Sequence, residues 1–488
     1  MISKNLIKSS LIYTIIGALP LASGFFLMLF YTNYLTTADF GALVLFISFT
    51  SFVQILVNFG LDTYIGISYF EHKHNQGLLK ARIGNIVAYL LVVGIISCMV
   101  FLLIGRPLFS LIFKGKDLFF FPYGFMSVVT AFFNSLFKTY SNLLINQQRP
   151  ERFAVVNFAN FFMTIGFSLG GLFLFPYTLI GPMWGRLLSG LGIFFIAFYS
   201  FNKEYKIKFQ FGEAFSKTLS FSLPVLIFFL LSWVISNIYP WIMKQYMDLD
   251  DIAVFGLALQ FTLLIEFTLS GLSNAYMPKV YELMKKDNLH HSTPDLNKYF
   301  SAFNALSLLI IPFSTFFLPL IMPLLIPKDY SQTYLFLALL NISFASRGLY
   351  NYFLAPIYFH KKTKVLPKIY TYTAVIQIIT SIFLIRYYSI WGAIWANLIT
   401  KIIQDIFLYF ESRKFFAFKF NAYKLIGLPF LVTLMIIISE YFATENNIHL
   451  IHLIELVFSF VLVWFLYRKE LKSLLALAIN FIKKDKSQ

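Results

Sequence analysis

The sequence predicts an all-α, polytopic membrane protein of about 14 transmembrane helices, and three observations predict it. Of its 488 residues, 59% are hydrophobic and 12% are charged, where soluble domains carry roughly 25% charged residues. Apolar windows of about 20 residues, the helical length that crosses the hydrocarbon core of a bilayer, recur along the whole chain. Lysines and arginines concentrate on alternate breaks between these windows, as they do when one side of a membrane retains them.

The windows lie near 11–31, 42–70, 83–104, 118–145, 153–175 and 178–201, then near 219–243, 252–279, 299–326, 333–359, 365–387 and 389–412. Two more follow near 424–443 and 448–468, and the gaps at 175–178 and 387–389 are the shortest. Lys4 and Lys8 precede the first window as they would in a secretory signal. Its apolar run is nevertheless longer than the ~7–15 residues of a signal core and reaches the ~20 of a span, so it reads as a retained first helix. Glycine and proline inside windows, as in GALP at 17–20, SLP at 222–224 and LIIPF at 309–313, mark kinks or close helix approaches.

Charge fixes the expected orientation. With the N-terminus inside, the outer loops hold only Arg106, Lys114, Lys116, Lys244, Lys328 and Arg386; four cations fall well inside windows, away from their ends, and the remainder of the 39 are cytoplasmic. Both termini are therefore expected in the cytoplasm, and the net charge of +17 is topological. Basic loops such as HKKTK at 360–364 read as orientation signals and anionic-lipid contacts, so membrane lipids are expected partners and nucleic acid is not. The 61 phenylalanines suit lipid-facing surfaces and interfacial belts and do not imply base stacking.

An internal repeat runs through the windows. LIGPMWGRLLSG at 179–190 aligns with SIWGAIWANLIT at 389–400 when Gly181 is placed on Gly392, an offset of 211 that also sets Gly60-Leu61 on Gly271-Leu272 and Phe70-Glu71 on Tyr281-Glu282. Six windows per copy return the chain to the same side, which gives parallel repeats of the kind used by transporters that rock two lobes around a central site. The expected organisation is an N-lobe at 1–210, a C-lobe at 211–415, and two extra helices with a basic tail at 416–488.

The four intramembrane cations follow the repeat. Lys138 and Arg347 fall in the fourth window of each copy, Arg186 and Lys401 in the sixth; Arg186 shifted by 211 lands on Asn397, one turn before Lys401. A charge at mid-bilayer costs about 2.5–3.5 kcal/mol on insertion scales, so each requires a partner or a task. One reading makes Arg186, Arg347, Lys401 and Lys138 the lining of a water-filled cationic cavity that holds an anionic group, with arginine forks matching phosphate oxygens. The other has Lys138 and Arg186 snorkelling, or cations pairing with intramembrane carboxylates. Asp62 and Glu266 are candidates for binding a coupling proton or sodium ion, or for such ion pairs; Asp405 is one turn from Lys401 and placed to pair with it, and Glu440 and Glu455 lie in the last two windows.

Enzymatic motifs are absent: there is no Walker loop, dinucleotide fingerprint or HExxH, and the pairs His72/His74 and His290/His291 lack a ligand set. No enzyme, metal or cofactor is expected. The single cysteine, Cys98, excludes an intrachain disulfide.

The pattern YTNYLTTADFGALVLFISFTSFVQILVNFGLD, the two six-helix lobes with two trailing helices, and the basic loop NQQRPERF resemble the polysaccharide flippase branch of the multidrug/oligosaccharidyl-lipid/polysaccharide exporter superfamily. The resemblance covers essentially the whole chain. It implies two lobes in a V, alternating access, and a flippase that moves undecaprenyl-diphosphate-linked oligosaccharide across the bacterial inner membrane for cell-surface polysaccharide such as O-antigen. A lipid-linked glycan and the polysaccharide polymerase machinery are the partners it implies. The first window lacks the arginines typical of related lipid II flippases, which argues against that substrate. The alternatives are a multidrug/cation antiporter of the same superfamily, and a membrane enzyme or scaffold of glycan assembly.

Overall fold

The computed structural model describes residues 13, 16–113, 118–210, 213–286, 289–443 and 447–486. Lys4, Lys8, Lys114 and Lys116, and the start of the first window, lie outside the described residues. The fold is all-α as predicted, and the extended pairing among the described residues is one isolated β-bridge between His291 and Ala417.

In chain order the helices are α1 Leu19–Tyr34, α2 Thr37–Asn58, α3 Leu61–His72, α4 Gln76–Ile112, α5 Phe125–Asn146, α6 Pro150–Leu174, α7 Ile180–Tyr205, α8 Glu213–Asn237, α9 Tyr239–Met243, α10 Leu249–Lys286, α11 Pro294–Leu325, α12 Thr333–Ile342, α13 Arg347–Phe359, α14 Leu366–Ser412, α15 Leu428–Phe442 and α16 Ile448–Lys486. Several begin where the sequence supplies a cap. Thr36 accepts from Asp39 N–H, Asn75 from Leu78 N–H and Thr293 from Leu296 N–H, each satisfying a donor that a helix start leaves unpaired.

Eleven helices among the described residues are long and apolar enough to cross a membrane, and the other three expected spans are accounted for. Helix α1 has only 16 described residues. The window 333–359 is broken at Ser343–Ser346 into α12 and α13. Helix α14, assigned as 47 continuous residues, would reach ~70 Å if straight, more than twice a bilayer core of ~30 Å. It is not straight: a Cβ on Gly392 would lie 2.1 Å from Leu384 O, although residues eight apart on one helix are separated by ~12 Å. The chain therefore reverses at Ser389, whose φ of 53° and ψ of −131° depart from helix, and the expected spans 365–387 and 389–412 are two antiparallel passes.

The second window differs from its expectation as one helix over 42–70. Phe59 and Gly60 take φ of 51° and 72°, left-handed values that glycine adopts without strain, and the helix stops and restarts as α3. A Cβ on Gly60 would meet Val225 Cγ1 at 2.9 Å and Ser222 O at 3.0 Å, so α8 packs directly against the break. The repeat-equivalent Gly271 sits inside unbroken α10. Of the repeat-related helices, then, the first copy breaks its second span and the second copy breaks its fourth.

By their contacts the residues form two compact units, Met1–Gly256 and Leu257–Gln488. In the first, α6 and α7 pack backbone to backbone: a Cβ on Gly171 would lie 2.3 Å from Gly181 O, and one on Gly185 would lie 2.4 Å from Ser168 Cα. GPMWG is thus a small-residue seam of the GxxxG type, which brings transmembrane helices into close contact. In the second unit, α16 packs along α11 and α15, and at one end of that pair Lys424 Nζ is 2.6 Å from Glu470 Oε1 while Tyr467 donates to Lys424 O.

Candidate functional site

Each unit holds its own set of intramembrane charges. In the first, the break at Gly60 places Asp62 in the first turn of α3 and buries it, where the helix dipole favours a negative charge. One carboxylate oxygen accepts from Thr63 N–H at 2.8 Å, and the other accepts from Asn142 Nδ2 at 3.3 Å. Lys138 Nζ stands 3.6 Å from that second oxygen. The lysine is half exposed and its ammonium lies 5.7 Å from the centre of the Phe229 ring, a distance at which the ring face attracts a cation.

Arg186 is placed differently. It follows Gly185 on α7, is half-buried, and its side chain makes no hydrogen bond or ion pair among the described residues. The titratable group acting on it among the described residues is buried Tyr31 of α1, whose hydroxyl lies within hydrogen-bonding reach of Ser168 on α6. A guanidinium carries five donors and cannot be deprotonated in a protein. Arg186 therefore presents unused donors near a buried tyrosine hydroxyl.

In the second unit the break in the fourth span does the positioning. Arg347 is the first residue of α13, and its Nη2 donates to Glu266 Oε1 of α10 at 2.8 Å. Ser270 donates to the same oxygen at 2.9 Å, and Arg347 Nε is buried without a partner. Lys401 of α14 donates from Nζ to Ser343 Oγ at 3.1 Å and lies 4.8 Å from the Phe344 ring centre. Asp405 is one turn further along; it is buried, lies within hydrogen-bonding reach of Ser346, and leaves Oδ2 unpartnered. Lys401 feels the charges of Glu266, Arg347 and Asp405, but no carboxylate among the described residues is within ion-pairing distance of it. The turn Ser343–Ser346 thus gathers two cations and two carboxylates around one helix break.

The repeat gives both units one shared arrangement, a cation of the fourth span paired with a carboxylate of the second. The carboxylate positions are not equivalent under the offset of 211, so Asp62–Lys138 and Glu266–Arg347 are the same contact reached from different registers.

The family and fold can be set beside this geometry. Residues 33–335 match a family described as polysaccharide biosynthesis protein. The chain belongs to that family. No curated relative matches the sequence. Among solved structures the family member resembles a lipid II flippase, MurJ, in an inward closed conformation, with a TM-score of 0.70 and 16% identity, covering 94% of this chain and 99% of that one. It also resembles a multidrug resistance MATE family transporter in an inward-facing conformation, with a TM-score of 0.67 and 14% identity over 84% of this chain and 98% of that one. A third likeness is to the Vibrio cholerae MATE transporter VcmN, with a TM-score of 0.53 and 13% identity over 88% and 98%. At these identities the likeness is one of fold, that of multi-pass membrane transporters.

Some residues of the charged sites carried no signal in the sequence. Tyr31, Ser168, Ser343 and Ser346 are ordinary residue types for a membrane helix, and their proximity to Arg186, Lys401 and Asp405 depends on which helices meet. A findable signal was passed over in α16, where His452 precedes Glu455 by three residues, the spacing that puts both on one helical face.

Proposed function

We propose that the protein is a flippase that moves an undecaprenyl-diphosphate-linked oligosaccharide from the cytoplasmic to the outer leaflet of the bacterial inner membrane by alternating access, in the assembly of cell-surface polysaccharide. The observation that carries this reading is Arg186, a guanidinium within a membrane span with no protein counter-ion among the described residues. A diphosphate supplies the charge and the paired oxygens that such a fork accepts. Lys138, Arg347 and Lys401 are the further cations proposed to meet that headgroup, and membership of a polysaccharide biosynthesis family on a transporter fold supports the substrate class. Both termini are proposed to be cytoplasmic.

An exporter of cationic drugs is less well supported, because Asp62 and Glu266 are each held by a cation, which leaves Asp405 alone among the carboxylates of the charged sites without one at ion-pairing distance among the described residues. The decisive experiment reconstitutes the purified chain in liposomes and follows a labelled lipid-diphosphate oligosaccharide from inner to outer leaflet. Translocation is expected in wild type and should fall about tenfold or more in Arg186→Ala at unchanged abundance, consistent with losing charge-assisted hydrogen bonds worth ~1.5–3 kcal/mol. Normal rates in Arg186→Ala and Arg347→Ala at wild-type abundance would remove the cationic headgroup site; cation-drug efflux or glycosyl transfer by the same vesicles would replace the reading.

A further inference from the structure

The two trailing helices contain titratable groups that the cation sites leave unused. Glu440 lies near the end of α15, while His452 and Glu455 lie in the first two turns of α16; His452 and Glu455 are 0% and 1% exposed. His452 Nε2 is 2.6 Å from Glu440 Oε1, and Ser439 donates to Glu455 Oε1. Three atoms along one face of α16, His452 Nδ1, Glu455 Oε2 and Ser459 Oγ, are buried with no hydrogen-bond partner. Their spacing of three and four residues stacks them one above another.

Among the described residues no fixed cation serves this cluster. Helix α11, which packs along α16, has no titratable side chain from Phe300 to Leu325, and α12, which packs on α15, contributes only Tyr334. Among the described residues the other titratable groups at this end of the pair are Tyr441 and His449, both exposed, and the electrostatic neighbours of Glu455 are His452 and Glu440. Two carboxylates therefore share one imidazole. With both ionised the cluster holds a net negative charge out of water even when His452 is protonated, at a cost of several kcal/mol. Asp62 and Glu266 differ, since Lys138 and Arg347 already offset their charge.

We infer that His452, Glu440 and Glu455 form a proton-binding site on the trailing helices, and, resting on the flippase reading, that this site rather than Asp62 or Glu266 takes up the proton coupled to transport. The cluster lies close to the connection between α15 and α16: Glu440 is two residues from the end of α15, and His452 and Glu455 are four and seven residues past the start of α16, ~6 and ~10 Å along its axis. With cytoplasmic termini this connection faces outward, so the proton enters from the outer side. It binds Glu455 Oε2, the carboxylate oxygen that no donor serves among the described residues. That leaves a neutral carboxyl and a neutral imidazole; each proton raises the charge of the cluster by one, and no other bond breaks.

The test is an infrared pH titration of the full chain in liposomes without substrate. A carboxyl C=O band that grows on acidification is expected in wild type, in Asp62→Asn and in Glu266→Gln. It should vanish in Glu455→Gln, move in frequency in Glu455→Asp, and shift its midpoint in His452→Gln. A band untouched by Glu455→Gln, or lost instead in Asp62→Asn or Glu266→Gln, overturns the site. In a second arm, a pH gradient should accelerate glycan translocation by wild type and not by Glu455→Gln; stimulation surviving in Glu455→Gln, or arising from a sodium gradient alone, overturns the coupling role. A wild type that moves no glycan at all refutes the flippase reading, and the infrared arm still decides the proton site.

Discussion

Alanine at Gly171 or Gly181 should force α6 and α7 apart, whereas alanine at Gly170, one residue away, should not. The added Cβ would stand 2.3 Å from Gly181 O in Gly171→Ala and 2.4 Å from Gly171 O in Gly181→Ala, where ordinary contact begins at 3.4 Å. Each backbone must therefore withdraw by about 1 Å. Overpacking of this size costs ~1–3 kcal/mol, and alanine's better helix propensity returns up to ~1 kcal/mol, which leaves a net loss of ~1–2 kcal/mol. Nothing lies within 4 Å of a Cβ at Gly170, so Gly170→Ala keeps the propensity gain without the clash. Thermal unfolding of the three purified variants in one detergent measures the difference: Gly171→Ala and Gly181→Ala should melt below wild type, and Gly170→Ala at or above it. Because Arg186 follows the same seam, the two destabilised variants should also lose translocation on the order of tenfold or more, as expected when a binding group is misplaced by about 1 Å. If Gly171→Ala and Gly170→Ala melt together at the wild-type temperature, the close approach does not hold these helices and the reasoning fails.

Three further outcomes are expected. Glu266→Gln and Arg347→Gln should each destabilise, and a double-mutant cycle should return a coupling of ~1–2 kcal/mol, between the limits for exposed and buried pairs because both side chains are about a third exposed; strictly additive losses would mean that the 2.8 Å contact contributes nothing. Asp62→Asn keeps an acceptor for Thr63 N–H and should cost ~1 kcal/mol through lost charge at the helix start, whereas Asp62→Ala, which leaves buried donors unpaired, should cost ~2–3 kcal/mol; equal melting temperatures would contradict this order. His360 stacks on His290 at 4.9 Å in the loops outside the spans, and burial, then the neighbouring imidazole, lowers its pKa from 6.5. The unfolded loop therefore binds protons at a higher pH than the folded one, so the contribution of this contact is complete above pH 6.5 and is lost as pH falls through the depressed value. Hydrogen-exchange protection in 360–365, taken relative to the intrinsic rate at each pH, should fall on acidification in wild type and lose that dependence in His360→Gln.

Much of the architecture was legible in the chain. Span number followed from apolar windows, because a helix must be about 20 residues long to bury its backbone polar groups across a bilayer. The short gap at 387–389 was a real reversal at Ser389, and the spans that carry Lys138 and Arg347 each place that cation beside a carboxylate. Helix breaks were less legible. Gly60 fell within an apolar run and the Ser343–Ser346 turn lacks glycine and proline; both breaks depend on the helices packed around them, as Val225 and Ser222 show at Gly60.

The sequence by itself determined that this protein crosses a membrane many times and which helices carry charge. These are properties of composition and period, set by the cost of placing each residue type in hydrocarbon. Only the tertiary structure decided which charges are neutralised: Lys138 by Asp62, Arg347 by Glu266, and Arg186 by no carboxylate among the described residues. Pairing requires atoms within about 4 Å on helices some 80 residues apart in the chain, and that distance follows from how the helices pack, which no local pattern encodes.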